Sequence, residues 1–350
     1  MLDVFHSDAF TTLELTTAVE KVPYLPTGIG RLDVFEEDPI RTKELAVEVR
    51  QGQLVLIPAS DRGAPLTERT TELRNMLYFK VPRLATGDTL MADELQSIRA
   101  FGQESELMQV QAEVARRLSG PTGLLKNIEY TWENQRLGAI SGSLIDADGS
   151  TVIYNWFTSF GITQPTEIAF NLTGWQGTSP STSDGALRQL CNQTARAIKR
   201  AAKGAFIEGV SEICCMCGDQ FWDQLVTHPD VVKTYLNWMA AAELRQGNAW
   251  DAMLFGGIRW FNYRGSDDND ATIGVATTKC KFFLRKAPGV FKVARAPAEF
   301  GPWINTPGKK YYVIPIIDRD RQAWWRMEVY SYPLFICTRP ETLFSGRCGT

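Results

Sequence analysis

The sequence predicts an α+β protein of two lobes, and three observations carry that prediction. Strand and helix patterns follow one another without regular βαβ alternation. A polar, Ser/Thr/Gly-rich stretch from Trp175 to Gly185 separates two patterned halves. The chain has 350 residues, more than one compact core usually holds.

Residues 1–40 are weakly patterned, and the Pro/Gly-rich run Val22 to Gly30 breaks any helical period. Their Val, Tyr, Leu and Ile side chains are expected to pack on something, the chain's own body or a neighbour. Leu45, Val47 and Val49 then alternate with Glu44, Glu48 and Arg50, a half-buried strand. Leu54 to Ile57 reads as further strand, Pro58 to Pro65 as a loop tip, and Thr70 to Val81 as the returning strand. A hairpin this long is expected to lie against other surfaces, because an isolated one is marginal in water.

Asp88 to Phe101 reads as a short helix capped by Asp88 or Thr89. Glu104 to Ser119 is a stronger one, with Leu107, Val110, Val114 and Leu118 along one stripe. Gly120-Pro121 interrupts it, and Leu124 to Leu137 resumes with Leu125, Ile128 and Trp132 on one face. Gly142 to Tyr154 reads as a hairpin turning at Asp146 to Gly149. Ala186 to Ala202 is an amphipathic helix with Leu187, Leu190, Cys191, Thr194, Ile198 and Ala201 inward. A strand from Val210 to Met216 stops at Gly218. Asp219 stands where an N-cap belongs, and Pro229 restarts the helix. Further strands are expected near Ile258 to Tyr263, Lys279 to Arg285, Tyr311 to Ile317 and Arg326 to Cys337.

The net charge of -3 argues against a general nucleic-acid binder. No basic start with an apolar run opens the chain, and no apolar stretch is long enough to span a bilayer, so folding in a cytoplasm is expected. Seven cysteines form an odd set without framework spacing, which suits a reducing compartment.

Cys214, Cys215 and Cys217 with His228 are the nearest approach to a metal site. Alternation along a strand would turn Cys214 away from the other two, so these read as buried strand cysteines. His6 and His228 are the only histidines, and no Gly-x-Ser-x-Gly, Gly-x-Gly-x-x-Gly or P-loop pattern occurs. His228 reads as bonding backbone at a helix end, and a Cys217/His228 enzyme stays an alternative. Gly265 to Asp270 reads as a solvated acidic loop in preference to a calcium loop. Arg196, Lys199, Arg200 and Lys203 share one helix face, solvated by default but able to touch DNA or a neighbour. Trp260, Phe261, Trp303, Trp324 and Trp325 read as core or interface anchors.

Three blocks resemble the lambda-like major capsid protein E family of tailed bacteriophages. They are Cys217-Gly218 with Phe221, Leu225, His228, Val231 and Tyr235; Asn155-Trp156-Phe157-Thr158-Ser159-Phe160-Gly161-Ile162; and Tyr332 to Glu341. The resemblance implies the HK97-type capsid fold. Residues 1–40 would be an N-arm, 41–85 an E-loop, 86–175 with 322–350 a P domain holding the spine helix, and 176–321 an A domain. It implies a major capsid protein whose pentamers and hexamers build an icosahedral head around double-stranded DNA, with no catalytic residue, metal or cofactor. Tyr24, Leu25, Leu45, Val47, Val49 and Arg62 would contact neighbouring subunits. Asp267, Asp268 and Asp270 would lie in a loop at the capsomer centre. Cys348 could form a disulfide between subunits, although a free thiol is the first expectation. A chain that starts directly at the arm suggests a separate scaffolding protein, and a portal and decoration protein would be further partners. DNA would be touched weakly and non-specifically, and no membrane is involved. The protein would be assembled in the host cytoplasm and end in the virion. No lysine–asparagine cross-linking pair is identifiable. An encapsulin-like or gene-transfer shell of the same fold is the alternative.

Overall fold

The computed structural model describes residues 25–51, 73–92, 114–120, 122–172, 185–236, 252–266, 273–321 and 323–349. A short helix α1 (Gly28–Arg31) leads into β1 (Glu36–Pro39), β2 (Glu44–Gln51), β3 (Leu73–Lys80) and β4 (Leu84–Met91). Helical residues 114–119 precede the long helix α2 (Leu124–Ser141). The hairpin β5 (Ser143–Ile145) and β6 (Val152–Asn155), α3 (Trp156–Ser159) and β7 (Ile168–Ala169) follow. Next come α4 (Ala186–Ala202), β8 (Glu212–Cys217), α5 (Asp219–Val226), α6 (Pro229–Leu236), β9 (Ala252–Phe255) and β10 (Ile258–Asn262). The chain ends with β11 (Lys279–Arg285), β12 (Phe291–Arg295), β13 (Tyr312–Ile317), β14 (Trp324–Ser331), β15 (Pro333–Cys337) and β16 (Phe344–Arg347).

The main sheet has strand order β7-β16-β11-β8-β10-β9. β8 lies inside it, antiparallel to β11 and parallel to β10, so both of its edges are paired, and the burial of every residue from Ile213 to Cys217 shows both of its faces covered. That is why Ile213 to Cys217 is an unbroken apolar run. Trp260, Phe221, Phe282 and Phe170 form the aromatic centre, with Trp260 and Phe282 centroids 5.4 Å apart. The amphipathic helix has the expected bounds and buries Leu187, Cys191, Thr194 and Ile198 as expected, with Ala195 and Ala202 also buried and Leu190 and Ala201 only half-buried. A second cluster joins Leu124, Ile128 and Trp132 of α2 to Val293, Met327, Val329 and Phe335.

Four sequence expectations are corrected. Residues 88–91 are strand, not helix. β4 pairs with β14 from Leu84↔Ser331 to Met91↔Trp324, and Leu90 is fully buried. A local capping signal lost to an eight-pair ladder. The last strand is two strands, because the chain changes sheet at Tyr332: β14 pairs with β13 and β4, whereas β15 pairs with β12. Pro333 at the change has no N–H to carry one ladder onward. The N-cap of α5 is Gly218, and Asp219 sits one position inside, accepting from Asn262 Nδ2 at 2.9 Å. Glycine is needed there, since a Cβ would come within 2.3 Å of the Ala276 carbonyl oxygen. The strand expected from Val210 begins at Glu212, and Val210 is exposed.

Candidate assembly surfaces

The shell subunit that the resemblance implies would be stiff inside and adhesive outside. Stiffness comes from two polar joints, each centred on one buried charged side chain. Glu133 of α2 is fully buried, and its carboxylate accepts from Ile29 N at 2.6 Å, Gly30 N at 3.2 Å, Tyr263 Oη at 3.1 Å and Arg136 Nη1 at 3.1 Å. One side chain thereby ties α1, the long helix and the end of β10 together. The second joint is Arg295 of β12. Its guanidinium grips Glu37 of β1 with Nε and Nη2, at 2.5 and 2.9 Å, and lies over the Trp132 ring at 4.6 Å. Partial burial would raise the Glu37 pKa, but the Arg295 and Lys310 cations outweigh it and hold that carboxyl below its usual value. Sequence reading missed both joints. A single Glu inside a helix reads as surface, and only its place among Ile128, Trp132 and Leu137 on the buried side signals otherwise.

The candidate adhesive part is the β2–β3 hairpin. Its ladder runs from Glu44↔Lys80 to Gln51↔Leu73. Leu45 and Phe79 are buried, with Val47 and Leu77 half-buried beside them. Phe79 sits 5.6 Å, centroid to centroid, from Tyr154, Trp156 and Phe160, and Tyr154 Oη donates to Lys80 O at 2.9 Å. The opposite face presents Met76, 49% exposed, and Tyr78, 63% exposed. Other large apolar side chains stand out on edge strands: Leu254 on β9, and Val313 and Ile316 on β13. Unpaired edges with apolar residues are surfaces that other chains can cover.

The cysteine and histidine constellation does different work. All seven thiols are buried. Burial first, and then contact with Cys217 and Cys280, pushes the Cys215 thiol well above its ordinary value. Burial likewise raises Cys191 to about 12 and Cys214 to about 11. Neutral, buried thiols are poor nucleophiles and poor ligands. Among the described residues no group of three or more His, Cys, Asp or Glu is arranged to hold a metal ion. His228 is buried, its Nδ1 accepts from Asp230 N at 3.2 Å at the start of α6, and burial lowers its pKa. Asp230 in turn accepts from Gly185 N and Leu187 N, joining α6 to the start of α4.

Of the residues expected to contact neighbours, Leu45 turns into the chain's own core, with Val47 beside it and Leu25 half-buried. Val49 pairs with Asn75 in the hairpin ladder. Tyr24, Arg62, Asp267, Asp268 and Asp270 lie outside the described residues. Cys348 is 4% exposed and its N–H donates to Thr278 O, so a disulfide to another subunit would require it to leave this packing. Of the aromatic group, Trp260 is core, with Nε1 donating to Phe255 O.

The family model described as Phage major capsid protein E matches residues 11–348. The major capsid protein of Salmonella phage Felix O1 (isolate Felix O1-VT1) is 25% identical over 99% of this chain and 98% of its own length. That of Pseudomonas phage KPP10 is 23% identical over 96% and 97%. The capsid of a native GTA particle superposes with a TM-score of 0.52 at 10% identity, over 98% of this chain and 99% of the other. The fold is therefore of the HK97 capsid type.

Proposed function

We propose that this chain, which belongs to the phage major capsid protein E family, forms the icosahedral head of a tailed bacteriophage by self-assembly into pentamers and hexamers. The family match across nearly the whole chain carries the reading. The role is structural, and the geometry supports it: a frame locked by buried joints, and a hairpin whose outer face offers Met76 and Tyr78 to a second surface. Residues 1–40 are the N-arm, 41–85 the E-loop, 86–175 with 322–350 the P domain, and 176–321 the A domain. The pairing of β12 with β15 and of β13 with β14 favours a P domain that also takes in the strands of 291–317. Arms and E-loops overlap neighbouring subunits, and many modest apolar contacts sum to a stable shell. A separate scaffolding protein, a portal and a decoration protein are its partners, and assembly takes place in the host cytoplasm.

The test is negative-stain electron microscopy of the chain expressed alone and with neighbouring phage genes. Closed icosahedral shells, or sheets and tubes of hexamers, are the expected result. Small uniform oligomers that form no lattice under either condition would overturn the reading.

A further inference from the structure

The helix α4 carries Arg188, Arg196, Lys199 and Arg200, with Lys203 directly after it. No Asp or Glu stands between Asp184 and Glu208. The apolar stripe of this helix is buried, so its cations point outward. Its exposed positions are Arg188, Gln189, Asn192, Gln193, Arg196 and Arg200, every one a hydrogen-bond donor and none apolar. Arg196, Lys199 and Arg200 follow the i, i+3, i+4 spacing of one helix face and span about 6 Å at the helical rise, and Lys203 stands just past the helix end, where the backbone turns to a positive φ of 51°.

Elsewhere carboxylates gather the cations. Glu212 holds Arg259, Arg285 and Lys286, and Glu37 holds Arg295 and Lys310. Among the described residues α4 has one such partner: Glu208, which pairs with Lys199 at 2.9 Å. The Arg196 Nε donates to its own helix at Asn192 O. In a chain of net charge -3, this is a concentrated cationic face with little internal neutralisation.

We propose that the outward face of α4 docks the phosphate backbone of duplex DNA. The proposal rests on the reading of the chain as a shell around a DNA genome, and names the surface that meets it. A protein neighbour would be expected to find an aromatic or aliphatic anchor, and none of the exposed positions of α4 is one, the first exposed apolar side chain beyond its end being Ile207. Duplex DNA needs no anchor, only charge: it presents a phosphate every ~1.7 Å of axis, and cations neutralising a few of them bind without regard to sequence. Three or four contacts give weak, salt-sensitive attachment, which orders a packed genome against the wall and still lets it leave.

The experiment is fluorescence anisotropy of the full-length chain with a labelled random-sequence duplex between 50 and 200 mM salt. With three or four phosphates neutralised, log K against log salt should fall with a slope of about -3. Arg196→Gln/Arg200→Gln/Lys203→Gln should lose at least about tenfold in affinity at the low-salt end and flatten the slope toward zero. Its thermal unfolding midpoint should match that of the parent chain. Glu208→Gln frees Lys199 and should tighten binding and steepen the slope by about one. An unchanged slope in the triple variant would overturn the proposal. So would a triple variant that loses subunit association while keeping its DNA affinity, because the face would then belong to a protein neighbour. Electron microscopy of the same preparations separates the two readings. Shells with unchanged DNA binding sink the α4 surface alone; a parent chain that never forms a lattice sinks the shell reading.

Discussion

The strand β8 and the hairpin β2–β3 are both β structure, yet they stand in opposite physical positions. β8 has partners on both edges and cover on both faces, so Ile213 to Cys217 is buried without interruption. The hairpin forms a separate two-stranded sheet with one face on the body, through Leu45 and Phe79, and the other open at Met76 and Tyr78. A doubly covered strand is complete within one chain. A singly covered hairpin has apolar surface left over, and its stabilisation is completed by whatever covers that face. The first region should therefore respond to mutation through subunit stability, and the second through assembly.

The largest expected effect tests the complete region. Trp260→Ala removes a fully buried ring packed on Phe221 and Phe282, together with its bond to Phe255 O. A loss of about 3–5 kcal/mol is expected, enough to leave much of the subunit unfolded in a urea titration. A midpoint shift too small to register would mean that the main sheet is not the stability core.

The buried joint at Glu133 comes next. Glu133→Ala strands the N–H groups of Ile29 and Gly30 and the Tyr263 hydroxyl away from water. The expected cost is about 3 kcal/mol, and Glu133→Gln, which keeps one acceptor oxygen, should recover part of it. The two substitutions costing equally would argue against the hydrogen bonds as the source.

Smaller, and dependent on pH, is His228. Its folded pKa lies below the ordinary value because burial resists protonation, against a smaller opposing pull from Asp230. The unfolded chain therefore binds the proton first. The stability this group contributes is complete above about pH 6.5 and falls as pH drops from there through the folded pKa. The unfolding midpoint of the parent chain should drop from pH 7.5 to pH 5.5 by more than that of His228→Asn, which retains an acceptor but does not titrate. Equal drops would place the pH sensitivity elsewhere.

What the sequence made legible follows the same contrast. The bounds of α4 and the stripe of Leu187, Cys191, Thr194 and Ile198 were readable because one side is covered and one is wet, whereas Leu190 and Ala201 are only half-buried and Ala195 and Ala202 are buried in addition. The hairpin was readable through the alternation of Leu45, Val47 and Val49 for the same reason. Where tertiary pairing decides, the local signal misled: Asp88 and Thr89 look like caps, yet β14 holds them in a ladder. β1, with sequence Glu36-Glu37-Asp38-Pro39, has no strand pattern at all and exists because β12 pairs with it and Arg295 grips Glu37. Family resemblance supplied the capsid reading, whereas the joints at Glu133 and Arg295 depend on contacts between residues more than a hundred positions apart and left no local trace.

The smallest effect on the subunit should be the most informative about the shell. Tyr78 is 63% exposed, and its side chain lies on the face away from Phe79 and the body. Tyr78→Ser with Met76→Ser removes apolar surface that the isolated subunit leaves in water, so its unfolding free energy should stay within about 0.5 kcal/mol of the parent. In an assembly that covers this face, the same two side chains lose water contact in every copy, and each contact is repeated around the shell. A yield of closed shells well below that of the parent, at unchanged subunit stability, is the expected outcome in sedimentation and electron microscopy. Normal shells would show that the outer face of the hairpin stays wet, and would move the search for the adhesive surface to the edges at Leu254 and Ile316.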